Sequence, residues 1–221
     1  MKFSNFLRQI AAIVRKDFLV GTRRRASFAA MLMFSLTAVA SLSLATGGAV
    51  IDENLLAALL WVVIFFAASA GISGTFEDEA AAGTLATLKL YAEPQAVLFG
   101  KMIFTLANLT ALTIFLLPIF LILFDCNVAQ IFLLIVTIFL GIIGLAGAGT
   151  LTAALTVSAT VKGGLFAILL FPIVLPIFLP AIQLTASTFT GANFETGLLI
   201  EMAIYDAILI TATSILYDYL D

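Results

Sequence analysis

Histidine is absent from the 221 residues, and cysteine occurs once, at Cys126. The chain can therefore form no internal disulfide, no Cys/His zinc cluster and no His-ligated haem, and its redox compartment is not legible from cysteine. Charge is scarce too: Asp, Glu, Lys and Arg make up 10% of residues, against roughly 25% in soluble domains. The net charge of −3, with no basic polar face, excludes nucleic acid as a partner. No phosphate-binding GxxxxGK[ST] loop exists, since Lys162 precedes Gly163 and Gly164 in the wrong order. A Gly-x-Ser-x-Gly elbow, a metalloprotease helix motif and a histidine base are likewise missing. The expectation is a non-catalytic chain with no catalytic, cofactor-binding or metal-binding residues, so any ATP hydrolysis must lie on a partner.

Apolar residues fill 63% of positions, more than a soluble surface could hide. They fall in runs near 20 residues, long enough to cross a ~30 Å hydrocarbon core as helices. The fold class expected is an all-α integral membrane bundle of six spans: about 27–50, 55–76, 102–124, 131–157, 165–185 and 198–217. In front lies an arm, 1–26, in which Phe3, Phe6, Leu7, Ile10, Val14 and Phe18 recur at helical spacing, with Arg8, Arg15 and Lys16 off the stripe. This reads as an amphipathic helix on the membrane, stopped at the headgroups by Arg23, Arg24 and Arg25, or as a simple topology anchor. No cleaved signal peptide is expected. The six spans form one domain, 27–217, followed by a short tail, 218–221.

The basic residues orient this map. Seven of the ten precede span one, Lys89 and Lys101 follow span two, and Lys162 follows span four. The opposite loops carry only Asp52, Glu53, Asp125 and Glu195. Cytoplasmic loops retain Lys and Arg during insertion, so both termini and the long 77–101 loop are expected in the cytoplasm.

That loop begins with Glu77, Asp78 and Glu79, continues through three alanines, Gly83, Leu85, Leu88, Lys89 and Leu90, and reaches Pro94. Acids in a first turn and Ala-rich sequence favour a short helix, with Leu85 and Leu88 as an apolar edge and Pro94 as its stop. It would serve as a docking helix or as a solvated connector. Gly141, Gly144, Gly147 and Gly149 in span four, and the Ala, Ser and Gly residues closing span two, read as close-packing or sliding faces. Pro172, Pro176 and Pro180, four apart, predict a kinked or broken fifth helix that lines an interior, through a static kink or a moving one. Asp206 sits near the middle of span six with no Lys or Arg at its depth. An acid there costs about 2.5 to 3.5 kcal/mol, so it faces the bundle interior, as a functional group or as a tolerated protonated carboxyl.

Phe76, Asp78, Gly83, Leu85, Leu88, Leu90, Pro94 and Lys101 form one stretch that resembles the CcmB family of haem exporter permeases. A second is Gly149, Thr150, Leu151, Thr152, Ala153, Ala154, Leu155 and Thr156 with Lys162, Gly163, Gly164, Pro172 and Pro176. The resemblance covers the whole chain. It implies a permease subunit of an ABC-type cytochrome c maturation complex in the bacterial inner membrane. Two copies would pair with two copies of a cytoplasmic ABC ATPase through the 77–101 loop. Haem would be held by an associated haem-handling membrane subunit and a periplasmic haem chaperone, with ATP on the partner. The alternatives left by the residues are an ABC-2-type permease for another cargo, a proton-driven carrier using Asp206, or a structural assembly subunit.

Overall fold

The computed structural model describes residues 2–23, 26–76, 79–80, 83–84, 91–156 and 165–218. They form α1 (Lys2–Arg23), α2 (Ala26–Thr46), α3 (Glu53–Ile72), α4 (Pro94–Leu123), α5 (Ile131–Thr156), α6 (Leu165–Thr190) and α7 (Thr196–Asp218). No strand occurs among the described residues. Helices α2 to α7 are each long and apolar enough to cross a membrane, which makes the chain a multi-pass membrane protein. Successive spans reverse direction, giving the bundle a basic end, where α1 meets α4, and an acidic end, where the Asp52, Asp125 and Glu195 turns lie.

Several boundaries differ from the sequence reading, each for a local reason. Helix α2 stops at Thr46 rather than near Val50, because Gly47 and Gly48 take φ of 57° and 78°, a region open to glycine without steric cost. Asp52 then starts α3, its Oδ1 accepting from the backbone of Asn54 at 2.9 Å and of Leu55 at 3.3 Å. Helix α3 ends at Ile72 and residues 73–76 turn. Pro94 was expected to stop a helix, yet it opens α4 at the first helical position, where its missing N–H has no intrahelical partner to lose. Lys101 therefore stands inside α4 rather than ahead of a span beginning at Met102. Helix α6 runs past Thr185 to Thr190.

Of the kink or break expected in α6 the break is absent: the helix is continuous through Pro172, Pro176 and Pro180. At four-residue spacing each proline after the first stands opposite the carbonyl of the one before it. The lost donors share one stripe and the remaining ladder survives. Tyr205 of α7 donates its hydroxyl to the carbonyl of Ile173 at 2.8 Å in this stretch. Of the three prolines only Pro180 is buried, while Pro172 is exposed.

Helix α5 is the centre, packing against α3, α4, α6 and α7. Its glycines let those neighbours in: a methyl at Gly141 would overlap the Trp61 ring, one at Gly144 would overlap Ile177 and Asp206, and one at Gly149 would lie 2.9 Å from Ile72 Cδ1. Lipid supplies no hydrophobic drive between helices, so such close approach is a main source of association. Trp61 fills the space, fully buried, with Nε1 donating to Thr185 Oγ1 at 3.0 Å and its ring 5.6 Å from that of Phe178.

Helix α1 packs on α4. Ile13 is buried against Gly100, and Phe6 stacks edge-on with Phe99 at 6.4 Å and Phe18 with Phe104 at 5.2 Å. Leu7 and Leu19 stay exposed.

Candidate functional site

At the basic end, four charged side chains from three segments meet. Asp17 stands one turn beyond Ile13 on the α1 face that meets α4, and Lys101 stands next to Gly100 on α4. Lys101 is 2% exposed and Asp17 6%. Lys101 Nζ donates to Glu79 Oε1 at 2.5 Å and to the carbonyl of Thr75 at 2.8 Å, and lies 3.3 Å from Asp17 Oδ2. The same ammonium sits 5.3 Å from the centroid of the Phe76 ring. Lys16 Nζ, half-buried, donates to Glu79 Oε1 at 2.6 Å and lies 3.1 Å from Asp17 Oδ1. Nearby, the backbone N–H of Glu93 donates to Gln9 Oε1 at 3.1 Å. The cluster thus fastens the arm to both ends of the 77–101 loop.

Electrostatics favour the charged forms of Glu79 and Lys16. Burial disfavours the Glu79 carboxylate, but the Lys101 and Lys16 ammonium groups outweigh it and hold its pKa below the ordinary 4.5. For Lys16, burial is likewise outweighed by the hydrogen bond to Glu79 and the charges of Asp17 and Glu79, leaving its pKa above 10.5. Two positive and two negative groups make a neutral knot with direct contacts, the arrangement in which buried charges are tolerated.

Within the loop, Ala80 N–H donates to the carbonyl of Phe76 at 3.1 Å, Gly83 N–H to that of Ala80 at 3.2 Å, and Thr84 N–H to that of Glu79 at 2.9 Å. With Gly83 at φ 68°, the last two bonds are a Schellman closure. Glycine thus closes the turn that contains Glu79. Glu77, Asp78, Leu85, Leu88 and Leu90 lie outside the described residues, as do Lys162, Gly163 and Gly164.

Asp206 is 4% exposed on α7, facing Gly144 and Ile177, and neither of its oxygens has a hydrogen-bond partner. It faces the bundle interior and stands apart from the knot. Pro172, Pro176 and Pro180 lie on α6, so among the described residues Lys101 is the one member of the sequence-predicted set that the structure brings into the knot.

Lys16, Asp17 and Glu79 belong to that site and sequence reasoning did not assign them to it. A signal was present: Asp17 is the one acid among the seven basic residues of the first 26, and it stands beside the apolar stripe at Phe18.

Nothing in this geometry is a nucleophile or a general base set against a substrate. Ion pairs and tight packing can hold segments in register and pass a displacement of the loop to α1 and α4. Heme exporter protein B of Haemophilus influenzae is 27% identical over 208 residues, covering 92% of this chain and 91% of that protein. Residues 8–216 match the family described as CcmB protein, so the knot and all six spans, save the last residues of α7, lie within the match. The chain belongs to the CcmB family.

Proposed function

We propose that this chain is the membrane permease subunit of a haem exporter that serves cytochrome c maturation, worked by a separate cytoplasmic ABC ATPase. The observation that carries the reading is the family match across residues 8–216, joined to a relative named heme exporter protein B. The chain has no phosphate-binding loop, so the ATP site belongs to the partner. It has no histidine, so haem is held by an associated membrane subunit and a periplasmic chaperone, and this subunit serves as conduit or lever. Two copies pair with two ATPase copies through residues 77–101, with the basic end in the cytoplasm of a bacterial inner membrane. The knot supports the coupling, because a push on the loop meets Glu79 and reaches α1 and α4 through Lys16 and Lys101.

The test is affinity purification of the tagged chain from its own membranes with ATPase assay of the eluate. An ATPase subunit that co-purifies and turns over is the expected result; a chain that elutes without one overturns the reading.

The unpartnered carboxyl of Asp206 favours a second reading, a proton-driven carrier. Asp206→Asn keeps the shape and removes the titration. Full cytochrome c assembly in this variant removes the carrier reading, and abolished assembly with an intact ATPase complex supports it.

A further inference from the structure

Helix α1 crosses α4 obliquely. Phe6 meets Phe99 and Phe18 meets Phe104, so about 18 Å of α1 advances only about 7.5 Å along α4. The axes cross at roughly 65°, and α1 lies nearer the bilayer plane than its normal. Helix α4 has 30 residues, about 45 Å, against a hydrocarbon core of ~30 Å. With the core centred on that helix, Phe99 stands at its edge and Phe104 about 8 Å inside. This is the depth of amphipathic helices that lie between headgroups and chains.

At about 100° per residue, the sides of α1 sort by depth. Phe18, 42% exposed, points toward the hydrocarbon, beside a space that continues along α4 to Ala111. Gln9 lies on the opposite edge, about 180° away, and accepts from the backbone of Glu93 ahead of α4. Ile10 and Asp17 fill the side toward α4. Arg8 and Arg15 take the remaining side, about 80° and 60° from Phe18, and both are exposed. Leu7, 50% exposed, adjoins them on the hydrocarbon side.

Neither guanidinium has an ion pair among the described residues, whereas Asp17 and Glu79 are already met by Lys16 and Lys101. Asp17 is the only acid of α1, and it is buried. A protein partner arriving from the aqueous side would meet the Gln9 edge; the arginine side meets whatever fills the headgroup layer. An anionic phospholipid matches it, since its phosphate accepts from the guanidinium fork and its chains cover Leu7 and Phe18. A zwitterionic head has the same phosphate but offsets it with its own cation.

We propose that the outward side of α1 binds anionic phospholipid headgroups through Arg8 and Arg15, so that the lipid surface at the basic end holds the arm and with it the knot. The site is independent of what the protein transports.

Lipid quenching of a single dye tests it. In the full-length protein with Cys126→Ser, a bimane on Ala11→Cys occupies an exposed position beside Leu7 and Phe18. Nanodiscs mix phosphatidylglycerol and phosphatidylcholine, with bromine on the chains of one or the other. Brominated phosphatidylglycerol should quench at much the lower mole fraction. That preference should fall about fivefold in Arg8→Gln or Arg15→Gln and about thirtyfold in the pair, the usual effect of one and of two basic residues at an anionic surface. Arg8→Lys with Arg15→Lys should keep most of it, and about 1 M salt should weaken it by screening. All these variants should melt like the wild type, because both side chains are exposed. Equal quenching by the two lipids in the wild type overturns the proposal, as does a preference that survives the paired Gln variant. A dye that no lipid quenches would put protein on this side of α1 and overturn it too.

Discussion

Lys101 shows how much rests on one ammonium group in this fold. At 2% exposure it offsets two carboxylates that are themselves almost wholly buried. Lys101→Met keeps the aliphatic stem and leaves half-exposed Lys16 alone against two buried carboxylates, which should cost about 3–5 kcal/mol, read as a lowered melting temperature in detergent. Adding Glu79→Gln and Asp17→Asn should recover most of that loss, because the penalty lies in the abandoned charges. The pH dependence follows from the same pairs. Glu79 has its folded pKa below 4.5, so its contribution is complete above that value and is lost as pH falls through the folded one. Lys16 has its folded pKa above 10.5, so its contribution is complete below that value and is lost as pH rises beyond it. Melting temperature should hold level between and fall in acid, and Glu79→Gln should flatten the acid limb. Cys126 behaves oppositely: burial first, then the charge of Asp125, push its thiol from 9.0 up to about 11. At pH 7 it should react with maleimide about a hundredfold more slowly than an unperturbed thiol, because the thiolate is the nucleophile. None of these pairings was legible beforehand, since Asp17 and Lys101 are 84 positions apart and hydropathy patterns carry no information about partners across a bundle.

Helices were far more legible than their ends. Each span declared itself through an apolar run of membrane length, a property that depends on local sequence and the solvent. Ends depend on caps, and there a residue has two meanings: Pro94 stops a preceding helix or opens a following one, and Gly83 permits a helix or closes it. Spacing showed that the prolines of α6 share a face; it could not show that the ladder between them survives. The glycines of α5 were legible as packing residues, but which neighbour each admits required the structure. Gly141→Ala should destabilise the protein by about 1–3 kcal/mol, the usual cost of overpacking, because the added methyl meets the buried Trp61 ring. Gly147→Ala should be near neutral, since the nearest atom to its new Cβ is Leu209 Cδ2 at 3.6 Å. Paired thermal melts decide the matter, and equal losses would mean that α5 owes its place to something other than glycine contacts.

For the whole molecule the governing asymmetry is the sorting of charge between two ends. The acidic end is held by neutral bonds: Ser43 Oγ donates to the carbonyl of Leu123 at 3.0 Å, and Ala129 N–H to that of Thr188 at 2.9 Å. The basic end is held by ions. Lys and Arg resist translocation, so this sorting predicts an orientation as well as a fold. It is open to direct measurement because the chain has one cysteine to remove. In a Cys126→Ser background, Ser4→Cys places a thiol on an exposed position of α1 and Asn127→Cys places one on the exposed turn after α4. With intact spheroplasts, an impermeant maleimide should label Asn127→Cys readily and Ser4→Cys only after the membrane is opened. The reverse pattern would put the knot and the 77–101 loop outside the cell, where no ATP-driven partner could reach them. Labelling of both positions from one side would be more damaging still, since an odd number of crossings must separate residues 4 and 127 for α2, α3 and α4 all to span the bilayer.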